Sequence, residues 1–415
     1  MNLSLQHSNI YKTQSSIKVT GSKSETNRLL LLQALYPNIS LENTSQSDDS
    51  NVMIEALKNC QLSTVNCQLI DIHHAGTAMR FLTAFFAIQE NREVILTGSS
   101  RMKERPIKIL VEALKQLGAE ITYEENEGFP PIRIKGKKIT KNKVTLQADV
   151  SSQYISALLL IAPKLENGLE LTLEGEITSV PYIQMTLALL NEVGVKTSFE
   201  ENTITVCNAE LVSASKLTIE SDWSSASYWY SIVALSEIGT QITLSSYKQN
   251  SLQGDSALVE IYKDFGVETI FNGNSITLFK AENCQPSTVN CQLNNSPDIA
   301  QTIAVTCFGL EIGCHLTGLH TLKIKETDRL QALKTELSKL GAIISVTDDS
   351  LTIEKSNNIN SNISIATYQD HRMAMAFAPL ALKVPIIIEE AEVVSKSYPT
   401  FWEDLKSVGF KTETK

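Results

Sequence analysis

The chain has 415 residues, 42% of them hydrophobic and 20% charged, with a net charge of −10; this is the composition of a globular protein of two or three domains. The acidic balance argues against nucleic acid or an anionic membrane as the main partner. No apolar run reaches the roughly 18–20 residues of a membrane span, and no basic-then-apolar leader opens the chain, so a cytoplasmic protein is expected.

In chain order, a first strand is expected over Ser16–Thr20, followed by Gly21-Ser-Lys-Ser-Glu-Thr-Asn-Arg-Leu-Leu30. Ser24 is the expected N-cap, and Leu29–Leu32 and Leu35 form an apolar body that Pro37 stops. A helix start with Lys23, Arg28 and a close-approach glycine suits phosphate or carboxylate. An ordinary capped helix with a solvated lysine gives the same pattern. The spacing is not that of a Walker A loop.

Seven cysteines are present. Four of them, Cys60, Cys67, Cys284 and Cys291, lie in two near-identical decamers at 60–69 and 284–293. Cys-x6-Cys is not a zinc spacing, and an odd total in a cytoplasmic chain argues against a disulfide framework. The decamers are expected to be inserted surface loops with no catalytic role.

An internal repeat sets the fold. Its unit is an apolar-spaced helix, a glycine, a strand, a turn and a second strand. Copies run over Leu110–Tyr123 with Gly118, Leu187–Val206 with Gly194, Leu258–Leu278 with Gly266 and Leu333–Ile353 with Gly341. A truncated copy ends at Gly409, and the helix around Ile54–Leu57 resembles another. Each glycine stands where a left-handed C-cap is expected. Asn272-Gly273 and Asp348-Asp349-Ser350 suit hairpin turns. Six such units imply an α/β protein in which helices cover one face of each sheet, too large for one core. The expected division is a domain over 21–220 and a discontinuous one over 1–20 plus 221–415. Hinge crossings fall near 20 and 220, the second marked by Ser221-Asp222 ahead of an aromatic-rich helix. A cleft between domains is the expected site.

Several further helix starts carry polar side chains. Gly76 opens a helix after His73-His74, whose i, i+1 spacing does not make a metal pair, and no metal is expected. Arg101, Lys103 and Arg105 form either a solvated face or an anion clamp. Ser151-Ser152-Gln153 and Ser179-Val180-Pro181-Tyr182 start two more helices, as caps or as hydroxyls for a ligand. Asp298 is a cap or a general base. Lys325-Glu326-Thr327-Asp328-Arg329 places two cations at i, i+4 with Glu326 beside them as a proton donor, or else forms a salt-bridged surface. Asp370 caps a helix with Arg372 at its mouth, and Lys396 adds a cation on a loop. Lys23, Arg28, Arg105, Lys325, Arg329, Arg372 and Lys396 nearly all stand at expected helix starts of an acidic chain. If they share a cleft, its ligands carry several negative charges.

Gly-Ser-Lys-Ser…Asn-Arg at 21–28, Ala-Gly-Thr-Ala-Met-Arg at 75–80, Arg-Met-Lys-Glu-Arg-Pro at 101–106, Ser-Ser-Gln at 151–153, Lys-Glu-Thr-Asp-Arg at 325–329 and Asp-His-Arg-Met-Ala-Met at 370–375 together resemble the 3-phosphoshikimate 1-carboxyvinyltransferase (EPSP synthase) family, in order and over essentially the whole chain. The resemblance implies an enolpyruvyl transferase-like fold: two domains, each of three βαβ-type repeats with helices packed inside sheets. It implies transfer of the enolpyruvyl group of phosphoenolpyruvate to the 5-hydroxyl of shikimate 3-phosphate, on the route to chorismate and the aromatic amino acids. By motif, Lys23, Ser24, Arg28, Ser151, Ser152, Gln153, Ser179, Tyr182, Asp298 and Lys325 would hold shikimate 3-phosphate. Lys23, Gly76, Arg105, Gln153, Arg329, Arg372 and Lys396 would hold phosphoenolpyruvate. Asp298, Glu326 and Lys23 would be catalytic. No cofactor is implied, and a monomer with small anionic substrates is expected. His74 stands where many relatives carry Asn, which implies a phosphoenolpyruvate neighbourhood that differs in detail, and Phe81 replaces a common Pro after the 75–80 motif, which leaves glyphosate sensitivity open. Two alternatives remain: transfer to UDP-N-acetylglucosamine, and a non-catalytic binder of phosphorylated metabolites. Asp298 and Glu326 speak against the second, because pure binding of anions gains little from carboxylates.

Overall fold

The computed structural model describes residues 1–10, 15–62, 67–147, 151–175, 177, 180–210, 215–282 and 286–415. These fall into two compact units, Gly21–Ile219 and Met1–Thr20 with Glu220–Lys415. Among the described residues no helix is long and apolar enough to cross a membrane.

One pattern recurs. A strand leads through a helix to a parallel partner strand, a second helix follows, and a hairpin adds two antiparallel strands. In Gly21–Ile219, Gln68–Asp71 pairs parallel with Glu93–Thr97, and Ile132–Lys135 and Glu120–Tyr123 complete the sheet. Lys143–Gln147, Leu169–Glu174, Thr203–Val206 and Thr197–Glu200 repeat that order. The other unit repeats it with Ser15–Ile17, Gln241–Ser245, Ser275–Lys280 and Val267–Asn272. It does so again with Thr288–Gln292, Gly313–Thr317, Leu351–Ile353 and Ile344–Val346. Distant segments close the remaining two sheets: Leu3–Leu5 lies between Ile386–Ile388 and Thr412–Thr414, and Ser215–Thr218 pairs parallel with Ile39–Glu42. The fold is therefore α/β, built from small mixed sheets. Gly118, Gly194, Gly266, Gly341 and Gly409 all take left-handed backbone, with φ from 71° to 119°.

The two helices of a repeat differ in what they bury. The first is buried on nearly all sides and lies inside. In Gly76–Ala87, Ser152–Ile161, Trp223–Leu235, Ala300–Gly309 and His371–Phe377 nearly every residue is buried, and in Lys23–Leu35 residues 25–32 are. The second, such as Lys108–Leu117 or Arg329–Lys339, buries one stripe. Within each unit the three inner helices touch one another. Each follows a strand or the loop from it, so their N-termini lie at the same end of the repeat. Gly21 is required at the entrance to the first inner helix, since a Cβ there would fall 1.8 Å from the Asn43 carbonyl oxygen.

Two sequence expectations fail here. Ser22, not Ser24, caps Lys23–Leu35, its Oγ accepting from the Glu25 amide at 3.4 Å. Ser24 lies inside the first turn, because the helix starts as soon as the chain leaves the tight passage at Gly21. Nor are the described parts of the decamers inserted loops. Thr288–Gln292, inside the second, is a sheet strand, and Cys291 packs against the core. The first begins within helix Asp48–Leu62 and ends in strand Gln68–Asp71, with residues 63–66 outside the described set. The two copies sit in different registers, so Leu69 is 67% exposed and its counterpart Leu293 only 1%. Tertiary surroundings, not the decamer, choose the face.

Candidate active site

In Gly21–Ile219 the three inner-helix mouths meet through side chains. Lys23 Nζ lies 3.2 Å from Asp49 Oδ2, and His74 Nε2 lies 3.7 Å from Asp49 Oδ1. Asp49 sits in the first turn of Asp48–Leu62 and thereby ties the mouth of Lys23–Leu35 to the loop that feeds Gly76–Ala87. Gln153 Nε2 donates to Thr77 Oγ1 at 3.2 Å and so joins the mouth of Ser152–Ile161, which Ser151 caps, to the second mouth. Arg105 runs against Gly76, where an added Cβ would fall 2.7 Å from Arg105 Nη1. Ser152 is buried beside them.

Arg28 goes inward. It donates to Thr186 Oγ1 at 2.8 Å, Ser156 Oγ at 3.0 Å, and the Ser24 and Tyr182 carbonyl oxygens. The Phe81 and Tyr182 rings lie 5.5 and 5.9 Å away. Burial pulls its pKa down to about 10, with Tyr182 and Glu25 opposing. Arg80 is similar: burial, then Arg105, brings it to about 10, and it donates to the Gly76 and Pro106 carbonyl oxygens. Cations held by neutral groups project their charge instead of cancelling it.

The second unit is organised differently. Arg372, in the first turn of His371–Phe377, donates to the Asp298 carbonyl oxygen at 3.2 Å and to Ser224 Oγ at 3.2 Å, and its Nη2 lies 3.3 Å from Asp298 Oδ2. Ser224 belongs to the first turn of Trp223–Leu235, and Asp298 to the turn Pro297–Ile299 that runs into Ala300–Gly309. One guanidinium therefore joins three helix mouths. Arg329, 2% exposed, uses all its nitrogens on carboxylates: Asp370 Oδ2 at 2.7 Å, Asp298 Oδ1 at 2.8 Å and Glu326 Oε2 at 2.8 Å. Lys325 Nζ stands 3.7 Å from Asp298 Oδ1. Burial works against the charge of Arg329, but Asp370, Glu326 and Asp298 outweigh it and its pKa is raised. Arg372 is likewise raised, burial being outweighed by Asp298, Tyr228, Asp255 and Asp222. Lys396 donates to the Gln369 carbonyl oxygen at 2.8 Å. It thus pins a turn in which Tyr368 and Gln369 both have positive φ, 54° and 55°, a strained conformation for these residues that needs support from outside.

The sequence-predicted residues thus form two clusters. Lys23, Ser24, Arg28, Gly76, Arg105, Ser151, Ser152, Gln153 and Tyr182 lie in one unit, and Asp298, Lys325, Glu326, Arg329, Arg372 and Lys396 in the other. Ser179 lies outside the described residues. Arg101 and Lys103 are not part of a cluster; they pair outward with Glu104 and Glu125. Lys325 and Arg329 do converge, though not from one helix face: Arg329 is the first residue of Arg329–Lys339, Asp328 is its cap, and Lys325 precedes it. Asp49, Ser156, Thr186, Ser224 and Asp255 were not anticipated. The adjacent acids Asp48-Asp49 at a helix start offered a hint for Asp49, whereas the others look like ordinary turn or helix residues in sequence. Chemically, the first cluster can hold polyanions. In the second, carboxylates and cations are interleaved and can move protons.

The family model EPSP synthase (3-phosphoshikimate 1-carboxyvinyltransferase) matches residues 60–405. The 3-phosphoshikimate 1-carboxyvinyltransferase of Bacteroides fragilis is 46% identical over 401 residues, covering 96% of each chain. That of Haemophilus influenzae is 36% identical over 429 residues, covering 97% of this chain and 98% of the relative. The solved EPSP synthase from Acinetobacter baumannii aligns with a TM-score of 0.80 at 21% identity over 100% of both chains. The enolpyruvyl transferase NikO from Streptomyces tendae aligns at 0.75 and 13% identity, over 99% of this chain and 98% of that one. At such identities the two solved structures bear on the fold alone.

Proposed function

The chain belongs to the EPSP synthase family, and from that premise we propose that it transfers the enolpyruvyl group of phosphoenolpyruvate to the 5-hydroxyl of shikimate 3-phosphate, releasing phosphate. This is a step of the shikimate pathway toward the aromatic amino acids. Lys23, Ser24, Arg28, Ser151, Ser152, Gln153, Ser179, Tyr182 and Lys325 bind shikimate 3-phosphate. Lys23, Gly76, Arg105, Gln153, Arg329, Arg372 and Lys396 bind phosphoenolpyruvate. Asp298 takes the proton of the 5-hydroxyl as its oxygen bonds to C2 of phosphoenolpyruvate, and Glu326, with Lys23, protonates the methylene carbon. The resulting tetrahedral adduct then loses phosphate and a methyl proton, which Glu326 removes.

The observation that carries the proposal is the convergence of Lys325, Arg329 and Arg372 on Asp298. These are the cations on which the phosphate and carboxylate of an arriving substrate would draw, beside the carboxylate that takes the hydroxyl proton. Proton transfer of this kind contributes about 10²–10⁴-fold, with orientation and electrostatics supplying the rest. The protein acts as a monomer in the cytoplasm, which sedimentation and fractionation would check. The deciding experiment is phosphate release from phosphoenolpyruvate with shikimate 3-phosphate as acceptor and UDP-N-acetylglucosamine as the control. Release with the first alone is expected; release only with the second, or with neither, would refute the proposal.

A further inference from the structure

A buried carboxyl group that the reaction above does not use lies behind Arg372. Asp255, 5% exposed, sits in the turn Gly254–Ala257 and accepts a hydrogen bond at Oδ2 from Ser224 Oγ. While Asp255 is ionised the direction of this bond is forced. Arginine has no acceptor, so Ser224 Oγ must accept from Arg372 Nη2, and its one proton is left for Asp255. Arg372, Ser224 and Asp255 form a chain with one polarity, ending on an acceptor shielded from water. The charged groups that face Asp255 are Arg372, Asp298 and Asp222. Burial, then the charge of Asp298, pushes the Asp255 pKa up to about 7, while Arg372 and the Ser224 hydrogen bond pull the other way.

We propose that Asp255 is a positioning residue which, through Ser224, sets both the orientation of Arg372 and the strength with which it holds the phosphoenolpyruvate anion. The proposal rests on the enolpyruvyl-transfer reading of the site. As a carboxylate, Asp255 competes with the incoming anion for the field of Arg372. Once protonated, it still accepts from Ser224 through its carbonyl oxygen, so the orientation survives and the competition ends. Arg372 therefore holds an anion more strongly as pH falls through the Asp255 transition near 7.

Asp255→Asn keeps the acceptor and removes the charge. Phosphoenolpyruvate itself titrates in this range, so the informative quantity is the ratio of its KM in the parent protein to its KM in the variant. That ratio is expected near 1 at about pH 6 and about threefold or more at about pH 8.5, with the KM for shikimate 3-phosphate moving less than about twofold. Ser224→Ala breaks the chain, and the KM for phosphoenolpyruvate should rise about 3- to 10-fold at both pH values. A ratio independent of pH, or an effect on shikimate 3-phosphate instead, overturns the proposal. The rise in melting temperature that phosphoenolpyruvate produces gives the same comparison without turnover. Loss of phosphate release in the parent protein would therefore refute the transfer reading while this arm still decides the role of Asp255.

Discussion

Two buried arginines, one in each unit, show how differently a fold can hold the same charge. Arg28 is surrounded by hydroxyls, carbonyl oxygens and aromatic rings, and burial lowers its pKa to about 10. Arg329 is as deeply buried but bonded to Asp298, Glu326 and Asp370, and its pKa is raised. Among the described residues the first has no carboxylate in direct contact, its nitrogens donating to hydroxyls and carbonyl oxygens instead. The second is bonded to three carboxylates and fixes their positions. Neutral partners leave the charge of a buried guanidinium uncancelled and carboxylate partners offset it, and the two arrangements stand in separate units.

The contrast can be broken by mutation, in decreasing order of effect. Asp298→Ala removes the proposed base and should cost about 10²–10⁴-fold in kcat with a smaller change in substrate affinity, measured by phosphate release; an undiminished kcat would take Asp298 out of the mechanism. Arg329→Met removes a bonded cation from Asp370, Glu326 and Asp298, the last keeping Lys325 and Arg372, and should cost about 3–5 kcal/mol in urea unfolding. Arg28→Met should cost about 1 kcal/mol or less, because Ser156 Oγ and Thr186 Oγ1 already lie 2.9 Å apart and can bond to each other, and because a costly buried charge is removed. Equal losses for the two arginines would erase the distinction drawn here. Gly76→Ala should leave the fold intact and move the flexible end of Arg105, raising the KM for phosphoenolpyruvate about tenfold or less.

Asp255 adds a test on stability. Its folded pKa is raised from 3.8 to about 7, so between those values the folded state binds more protons than the unfolded one. Stability must then fall as pH rises through that window; its contribution is complete below about 4 and lost above about 7. Unfolding of the parent protein compared with Asp255→Asn at about pH 5 and pH 8 should show the parent losing ground at the higher pH. Parallel behaviour of the two would contradict the assigned transition.

Much of this site was legible in the chain. Lys23, Arg105, Arg329 and Arg372 each stand beside a glycine, a cap or a polar run that announces a helix start, and helix starts attract anions for reasons confined to a few residues. The partners were not legible. Nothing near Ser224 or Asp255 announces Arg372, which lies 148 residues from Ser224, and nothing near Arg28 announces Thr186, 158 residues away. The decamers make the same point from the other side, since two near-identical sequences are placed in two registers, with the last leucine exposed in one and buried in the other.

The sequence by itself determined the succession of elements, the left-handed glycines that end the outer helices, and the kind of charge gathered at the inner-helix mouths. Periodicity, backbone freedom and capping act over a turn or two and need no neighbours. Only the tertiary structure decided that Ser22 rather than Ser24 caps the first inner helix, that Arg28 turns inward, and that Asp255 lies behind Arg372. Burial and pairing depend on which distant segments pack together, and they set the cost of every charge they enclose.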